Sequence, residues 1–171
     1  MLQRHLAGET AQTAFGALLA QCLPARGIIE LNGDLGTGKT TLVRGLLRAL
    51  GHQGAVRSPT YTLLESYDIG GRQIHHLDLY RLSDPEELEY LGLRDLLVQG
   101  SVLLVEWPQR GVGVLPPADV EILLHHAPPG RDLSLRAGTP VGGQVLSCLR
   151  DRLNTPSSGT SPLPMSPAKM S

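Results

Sequence analysis

Apolar residues recur along Glu9 to Cys22 at a helical interval, with Ala11, Phe15, Leu18, Leu19 and Cys22 on one face. Pro24 ends that pattern, and Ile28-Ile29-Glu30-Leu31 then reads as a short buried strand. A glycine-rich loop follows at once. Thr41 to Leu50 resumes the helical period, with Gly51 placed as its C-cap. Tyr61 to Tyr67 and Gln73 to Tyr80 read as two strands joined around Gly70-Gly71, a hairpin signal. Ser83-Asp84-Pro85-Glu86 has the form of a capping box with proline in the first turn, opening a helix that Gly92 interrupts. The continuous apolar run Ser101-Val102-Leu103-Leu104-Val105 has the length of a strand and suits a central parallel position. Val120 to Leu124 and Leu133 to Arg136 read as weaker strands ahead of a helix from Val141 to Leu153.

From about Asn154 the composition turns to Ser, Pro, Thr and Gly, which cannot bury enough surface to fold. The expected organisation is therefore one domain over residues 1–153 and a disordered tail over 154–171. No apolar run approaches the ~20 residues of a membrane span, and Met1 to His5 lacks the pattern of a signal peptide. A net charge of −1 argues against a generally basic nucleic-acid binder. Cys22 and Cys148, the only cysteines, are too few and too isolated for a disulfide framework or a zinc site. Reduced thiols in a cytoplasmic protein are the expectation.

Thirteen of the fifteen basic residues are arginine, so a lysine inside the folded region stands out. That lysine is Lys39, in Gly33-Asp34-Leu35-Gly36-Thr37-Gly38-Lys39-Thr40, which satisfies the P-loop pattern G-x-x-x-x-G-K-[ST] in full. Glycines permit the backbone angles that turn successive N–H groups inward around phosphates. A helix N-terminus adds partial positive charge at the same place. Lys39 is placed to reach the outer phosphates, and the Thr40 hydroxyl to join a magnesium shell. Strand, glycine loop and helix in succession give the motif the context it needs.

Such a site also needs a carboxylate at the end of a neighbouring strand. Glu106 directly follows the apolar run, where open α/β sheets place ligands. Asp78, in His76-Leu77-Asp78-Leu79-Tyr80-Arg81, is the second candidate, with an ion pair to Arg81 or a turn position as its structural alternatives. Thr60, in Ser58-Pro59-Thr60-Tyr61-Thr62, has a hydroxyl suited to sensing a terminal phosphate, or marks an ordinary proline turn. His75-His76 and His125-His126 are adjacent pairs, and neighbours on a strand point to opposite faces. Structural or surface roles are expected for all six histidines. Trp107, the only tryptophan, reads equally as core, lid or partner surface.

The segments GDLGTGKTTLVRG, RSPTYTLLESY, HLDLYRL, DPEELEYLGLRD and LLVEWPQRG resemble, in order and spacing, the TsaE (YjeE) family of bacterial ATPases needed for threonylcarbamoyladenosine synthesis on tRNA. The resemblance covers Glu9 to Leu153. Thr37 departs from the alanine usual in the family's loop, a substitution small enough to leave the backbone cradle intact. The resemblance implies an α/β, P-loop nucleotide hydrolase-like three-layer fold with a mixed, mostly parallel sheet, and ATP with Mg2+ as cofactors. It implies nucleotide contacts from Leu35, Gly36, Thr37, Gly38, Lys39, Thr40 and Thr41, and metal contacts from Thr40 and Glu106. It further implies catalytic roles for Lys39, Glu106, Asp78 and Thr60, and places Arg131 and Thr10 near the base. For Arg131 a plain surface charge, and for Thr10 a helix N-cap, are the alternatives. The implied partners are TsaD-like and TsaB-like proteins, with tRNA reached only through the assembly and no membrane involved. In that assembly the ATP cycle acts as a reset switch rather than as the transfer chemistry.

Three rivals bear on this reading. A GTPase would carry an Asn-Lys-x-Asp segment, and neither Asn32 nor Asn154 is followed by lysine. A small-molecule P-loop kinase would close an arginine-bearing lid, and no lid-like insertion separates the elements. An ATP-binding regulatory module with little turnover stays open.

Overall fold

The computed structural model describes residues 1–155, so the expected tail from 156 onward lies outside the described residues. The strands are β1 Leu2–Leu6, β2 Gly27–Asn32, β3 Leu64–Ile69, β4 Arg72–Asp78, β5 Val102–Glu106, β6 Val120–Ala127 and β7 Gly130–Ala137. The helices are α1 Glu9–Ala20, α2 Lys39–Leu50, α3 Glu87–Tyr90, α4 Leu93–Val98 and α5 Pro140–Asn154. One sheet holds all seven strands in the order β1-β7-β6-β2-β5-β4-β3. Pairing is parallel through the centre, β6–β2–β5–β4, and antiparallel at both edges. β5 is buried along its whole length, as its unbroken apolar run requires of a strand covered on both faces.

The two faces are covered differently. α1, α2 and α5 bury Phe15, Leu19, Leu42, Leu46 and Leu149 against Ile29, Leu31, Leu104, Ile122 and Leu135. On the opposite face Leu82, Leu88 and Leu93 cover only Ile28, Leu77, Leu103 and Val105. Farther out on that face, Asp132, Arg136 and His125 are exposed. The α/β fold is thus three-layered over β4 and β5, and the antiparallel edge turns one side to water, as such edges can.

Several local expectations shift. β1 was not anticipated, because Gln3, Arg4 and His5 interrupt its two buried leucines, Leu2 and Leu6. β3 begins at Leu64 rather than Tyr61, since Leu63 N–H bonds back to Pro59 O and holds a turn there. The capping box lies one residue later than expected. Asp84 Oδ1 accepts from Glu86 N–H, while Glu87 Oε1 accepts from the N–H groups of Asp84 and Ser83. Gly92, left-handed at φ 76°, does interrupt the helix and starts α4.

The cysteine expectation is corrected outright. Cys22 and Cys148 form a disulfide, with Cα atoms 5.7 Å apart. Their 126-residue separation concealed that α1 and α5 lie side by side on one face of the sheet.

α1 and α2 pack through paired glycines. A Cβ on Gly16 would lie 2.2 Å from Leu42 O, and one on Gly45 would lie 2.2 Å from Thr13 O. Alanine in a helix interior normally gains ~1 kcal/mol over glycine. Gly45→Ala should instead lose about 1–3 kcal/mol, because backbone cannot yield to the new methyl. Gly143→Ala on α5, where a Cβ meets nothing within 4 Å, should be neutral or stabilising. Denaturant unfolding of the two variants checks the contrast in sign.

Candidate functional site at the strand ends

The loop Gly33 to Thr40 joins β2 to α2, and its glycines take backbone angles that side chains resist, with φ 75° at Gly36 and 99° at Gly38. Gly38 also lies under Gln12, whose amide would be 2.5 Å from a Cβ there. Gln12, buried on α1, donates from Nε2 to Thr37 O at 2.9 Å and so braces the loop from below. Sequence reasoning missed it; the available signal was a polar residue on the helix's apolar side. Thr37 is buried, and its hydroxyl donates to Asp34 O at 2.8 Å, so the threonine closes the loop on itself without filling it.

α2 starts with no side-chain cap. Among the described residues the amides of Gly36, Gly38, Lys39, Thr40 and Thr41 find no acceptor, although the first turn of a helix normally recruits one. Lys39 donates from Nζ to Gly33 O and to Asp34 O, and the ammonium lies 4.5 Å from the centre of the Trp107 ring. Burial pushes the Lys39 pKa down, and the carboxylates of Glu106, Asp78 and Asp34 pull it partly back. The loop therefore combines unpaired donors, a positive helix end and a lysine. That donor set fits phosphate.

The carboxylates come from register. Asp78 and Glu106 are paired positions on parallel β4 and β5, each the last residue of its strand. They share the parity of Ile74 and Leu104, so both face the α2 side of the sheet. Glu106 Oε1 accepts from the Thr40 hydroxyl at 2.9 Å and lies 2.8 Å from His76 Nε2. Asp78 accepts from the Ser58 hydroxyl, the Thr60 hydroxyl at 3.1 Å and Tyr80 N–H at 3.0 Å. Thr60 is thereby tied to Asp78, and Asp78 makes no ion pair with Arg81 among the described residues. The two carboxylates, Lys39, Thr40, Thr41 and Thr60 line one cavity of about 450 Å³.

His76 has the buried place of a structural histidine, but at the edge of the site itself. It is fully buried against Glu106, while its neighbour His75 points the other way and pairs with Ser66 Oγ. Trp107, left-handed at φ 56°, lies 4.9 Å from the Tyr80 ring at the cavity wall and also packs, partly buried, against the core around Leu103 and Val105, so it is cavity wall and core edge together. Arg131 is no plain surface charge. From β7 its Nη2 donates to Gly36 O at 3.1 Å, and it lines a second cavity of about 390 Å³ with Gly36, Gly38 and Thr41. Thr10 is exposed on the first turn of α1, whose N-cap is Gly8, and the second cavity is lined by its neighbours Glu9 and Gln12. Leu35 is 64% exposed at the mouth of the first cavity.

Fold and site together define an α/β protein with a glycine loop between a central strand and a helix, and two carboxylates at the adjoining strand ends. Comparison with known proteins places it more closely. The family model described as threonylcarbamoyl adenosine biosynthesis protein TsaE matches residues 6–133. The chain is 44% identical over 151 residues to the tRNA threonylcarbamoyladenosine biosynthesis protein TsaE of Haemophilus influenzae, covering 85% of this chain and 96% of that protein. A namesake from Rickettsia conorii is 38% identical over 120 residues, 70% of this chain and 68% of its own. The crystal structure of YdiB from Bacillus subtilis superposes with a TM-score of 0.77 at 26% identity, covering 90% of this chain and 96% of that one. The chain belongs to the TsaE family of tRNA threonylcarbamoyladenosine biosynthesis. Among the described residues no helix is long and apolar enough to cross a membrane.

If His76 holds the Glu106 carboxylate, the two should be energetically coupled. A double-mutant cycle of His76→Ala and Glu106→Ala, read by urea unfolding, should give a coupling of about 0.5–3 kcal/mol. Strict additivity would show that the contact carries no weight.

Proposed function

We propose that this chain binds Mg-ATP in the cavity at the glycine loop and hydrolyses it to drive turnover of the threonylcarbamoyladenosine-forming assembly. The observation that carries this reading is the paired register of Asp78 and Glu106 beside the Thr40 hydroxyl and the open amides of the loop. Those groups offer what a magnesium-bound triphosphate requires: oxygen ligands on one side and N–H donors on the other. The fit is supported by the free amides of Gly36, Gly38, Lys39, Thr40 and Thr41. Thr40 and Glu106 would hold the metal, which supplies charge neutralisation to the phosphate oxygens when bound.

The chain's own residues then divide the work. Lys39 has its ammonium on the loop carbonyls and exchanges those contacts for outer phosphate oxygens. His76 and Thr40 fix Glu106 at one oxygen, leaving the other for the metal side. Asp78, oriented by Ser58 and Thr60, is placed to align the attacking water, and Thr60 couples that alignment to the segment Ser58 to Thr62. Arg131, which lines the second cavity next to the loop, would contact the base. Hydrolysis consumes one water and yields ADP and phosphate. Loss of the terminal phosphate changes the charge facing the Thr60 segment, which suits a reset switch acting on TsaD-like and TsaB-like partners. tRNA is met only through them.

Binding and hydrolysis separate by mutation. Lys39→Ala should lose ATP binding, and turnover with it, in a folded chain. Glu106→Gln should bind ATP within about tenfold of the parent, ~1.4 kcal/mol, yet release phosphate about 10²-fold more slowly with the partners present. Phosphate release and repeated rounds of tRNA modification in the reconstituted assembly measure both. Normal multi-turnover modification by Glu106→Gln would move the catalytic role to Asp78. ATP binding with no phosphate release from the parent under any partner combination would leave a regulatory module.

A further inference from the structure

The charged lining of the main cavity consists of two cations, Lys39 and Arg81, against two carboxylates, Asp78 and Glu106. Lys39 is engaged within the loop. Arg81 is engaged nowhere near it. Although Asp78 lies three residues before it, Arg81 forms no salt bridge among the described residues. Its guanidinium instead rests on Tyr61, with Cζ 4.4 Å from the ring centre and Nη2 3.4 Å from the phenol oxygen. Tyr61 is 83% exposed, and a stack in water of this kind is weak.

The placement follows from Asp78. One of its oxygens takes the hydroxyls of Ser58 and Thr60, and the other takes Tyr80 N–H. Those bonds zip the segment 58–61 onto the segment 78–81, with Tyr61 and Arg81 as the outermost pair. A permanently charged group is thus held at the mouth of the cavity by a contact that costs little to break. Arginine has the planar fork that matches phosphate oxygens.

We propose that Arg81 reads the terminal phosphate of the nucleotide, resting on Tyr61 when that charge is missing and moving onto it when it is present. The proposal rests on the Mg-ATP reading above. A triphosphate brings more negative charge beside Asp78 and Glu106 than a diphosphate does, and with Lys39 already committed to the phosphates, Arg81 is the further cation in the cavity lining that can offset the difference. Its departure uncovers the Tyr61 ring, so the same exchange alters the surface of the Thr60 segment in step with nucleotide state.

The test is calorimetric titration of the full chain with Mg-ADP and with a non-hydrolysable Mg-ATP analogue. Arg81→Ala should weaken the triphosphate analogue by about tenfold or more and change ADP by less than about threefold, as expected for loss of one charge-assisted contact. Arg81→Lys, which keeps the charge without the fork, should recover part of the loss. Tyr61→Leu removes the resting place and should leave triphosphate affinity at or above the parent's. An unchanged ratio of the two affinities in Arg81→Ala would overturn the proposal, as would a tenfold fall in Tyr61→Leu. Lys39→Ala distinguishes this from failure of the underlying reading. It should lose both nucleotides, and if it binds both as the parent does, the nucleotide site itself is refuted and the role of Arg81 with it.

Discussion

Leu31, Glu106 and Asp78 are successive cross-strand partners on β2, β5 and β4. Parallel pairing brings the C-terminal ends of these strands to one edge, so the loop after β2 emerges beside the two carboxylates. A slip of one residue in β5 or β4 would turn a carboxylate to the far face and put an apolar side chain beside Thr40 or Thr60 respectively. The strand cores guard against that slip. Ile74 and Leu104 pack under α1 and α2, while Leu77, Leu103 and Val105 pack on the other side. Burial on both faces fixes the register, and the register fixes the site.

The helix side is held with comparable rigour. Gly16 and Gly45 let α1 and α2 approach to backbone contact, which fixes the position of the N-terminus of α2 relative to Gln12. Gln12 in turn supports Thr37 from the α1 side. The loop's own amides are thereby left facing outward with no protein acceptor among the described residues. The arrangement is rigid beneath the cavity and loosely tied at its mouth, where Tyr61 and Arg81 meet in water.

Much of this was legible in the chain. The glycine loop, the apolar run before Glu106 and the helix after the loop are local patterns, and each appears where its periodicity puts it. Asp78 and Glu106 were recognisable because both stand at the end of a strand-like run. What escaped depended on distant pairing. His76 looked like one of an adjacent pair until β4 and β5 set it against Glu106. Gln12 carried no local signal of its contact with the loop, which only the packing of α1 creates, and Cys22 and Cys148 looked isolated until α1 and α5 met. β1 lacked a signal because an edge strand with one buried face needs only Leu2 and Leu6.

The proposed binding of Mg-ATP requires the strand ends and the glycine loop to form one magnesium-nucleotide site. Crystals grown with Mn2+ and a non-hydrolysable ATP analogue test it most directly, because manganese scatters anomalously where it binds. One manganese peak is expected within bonding reach of the Thr40 hydroxyl and on the Glu106 side, with the analogue's phosphates enclosed by the amides of Gly36 to Thr41. Manganese or phosphates bound away from Thr40 and Glu106, with the loop amides still free, would contradict it.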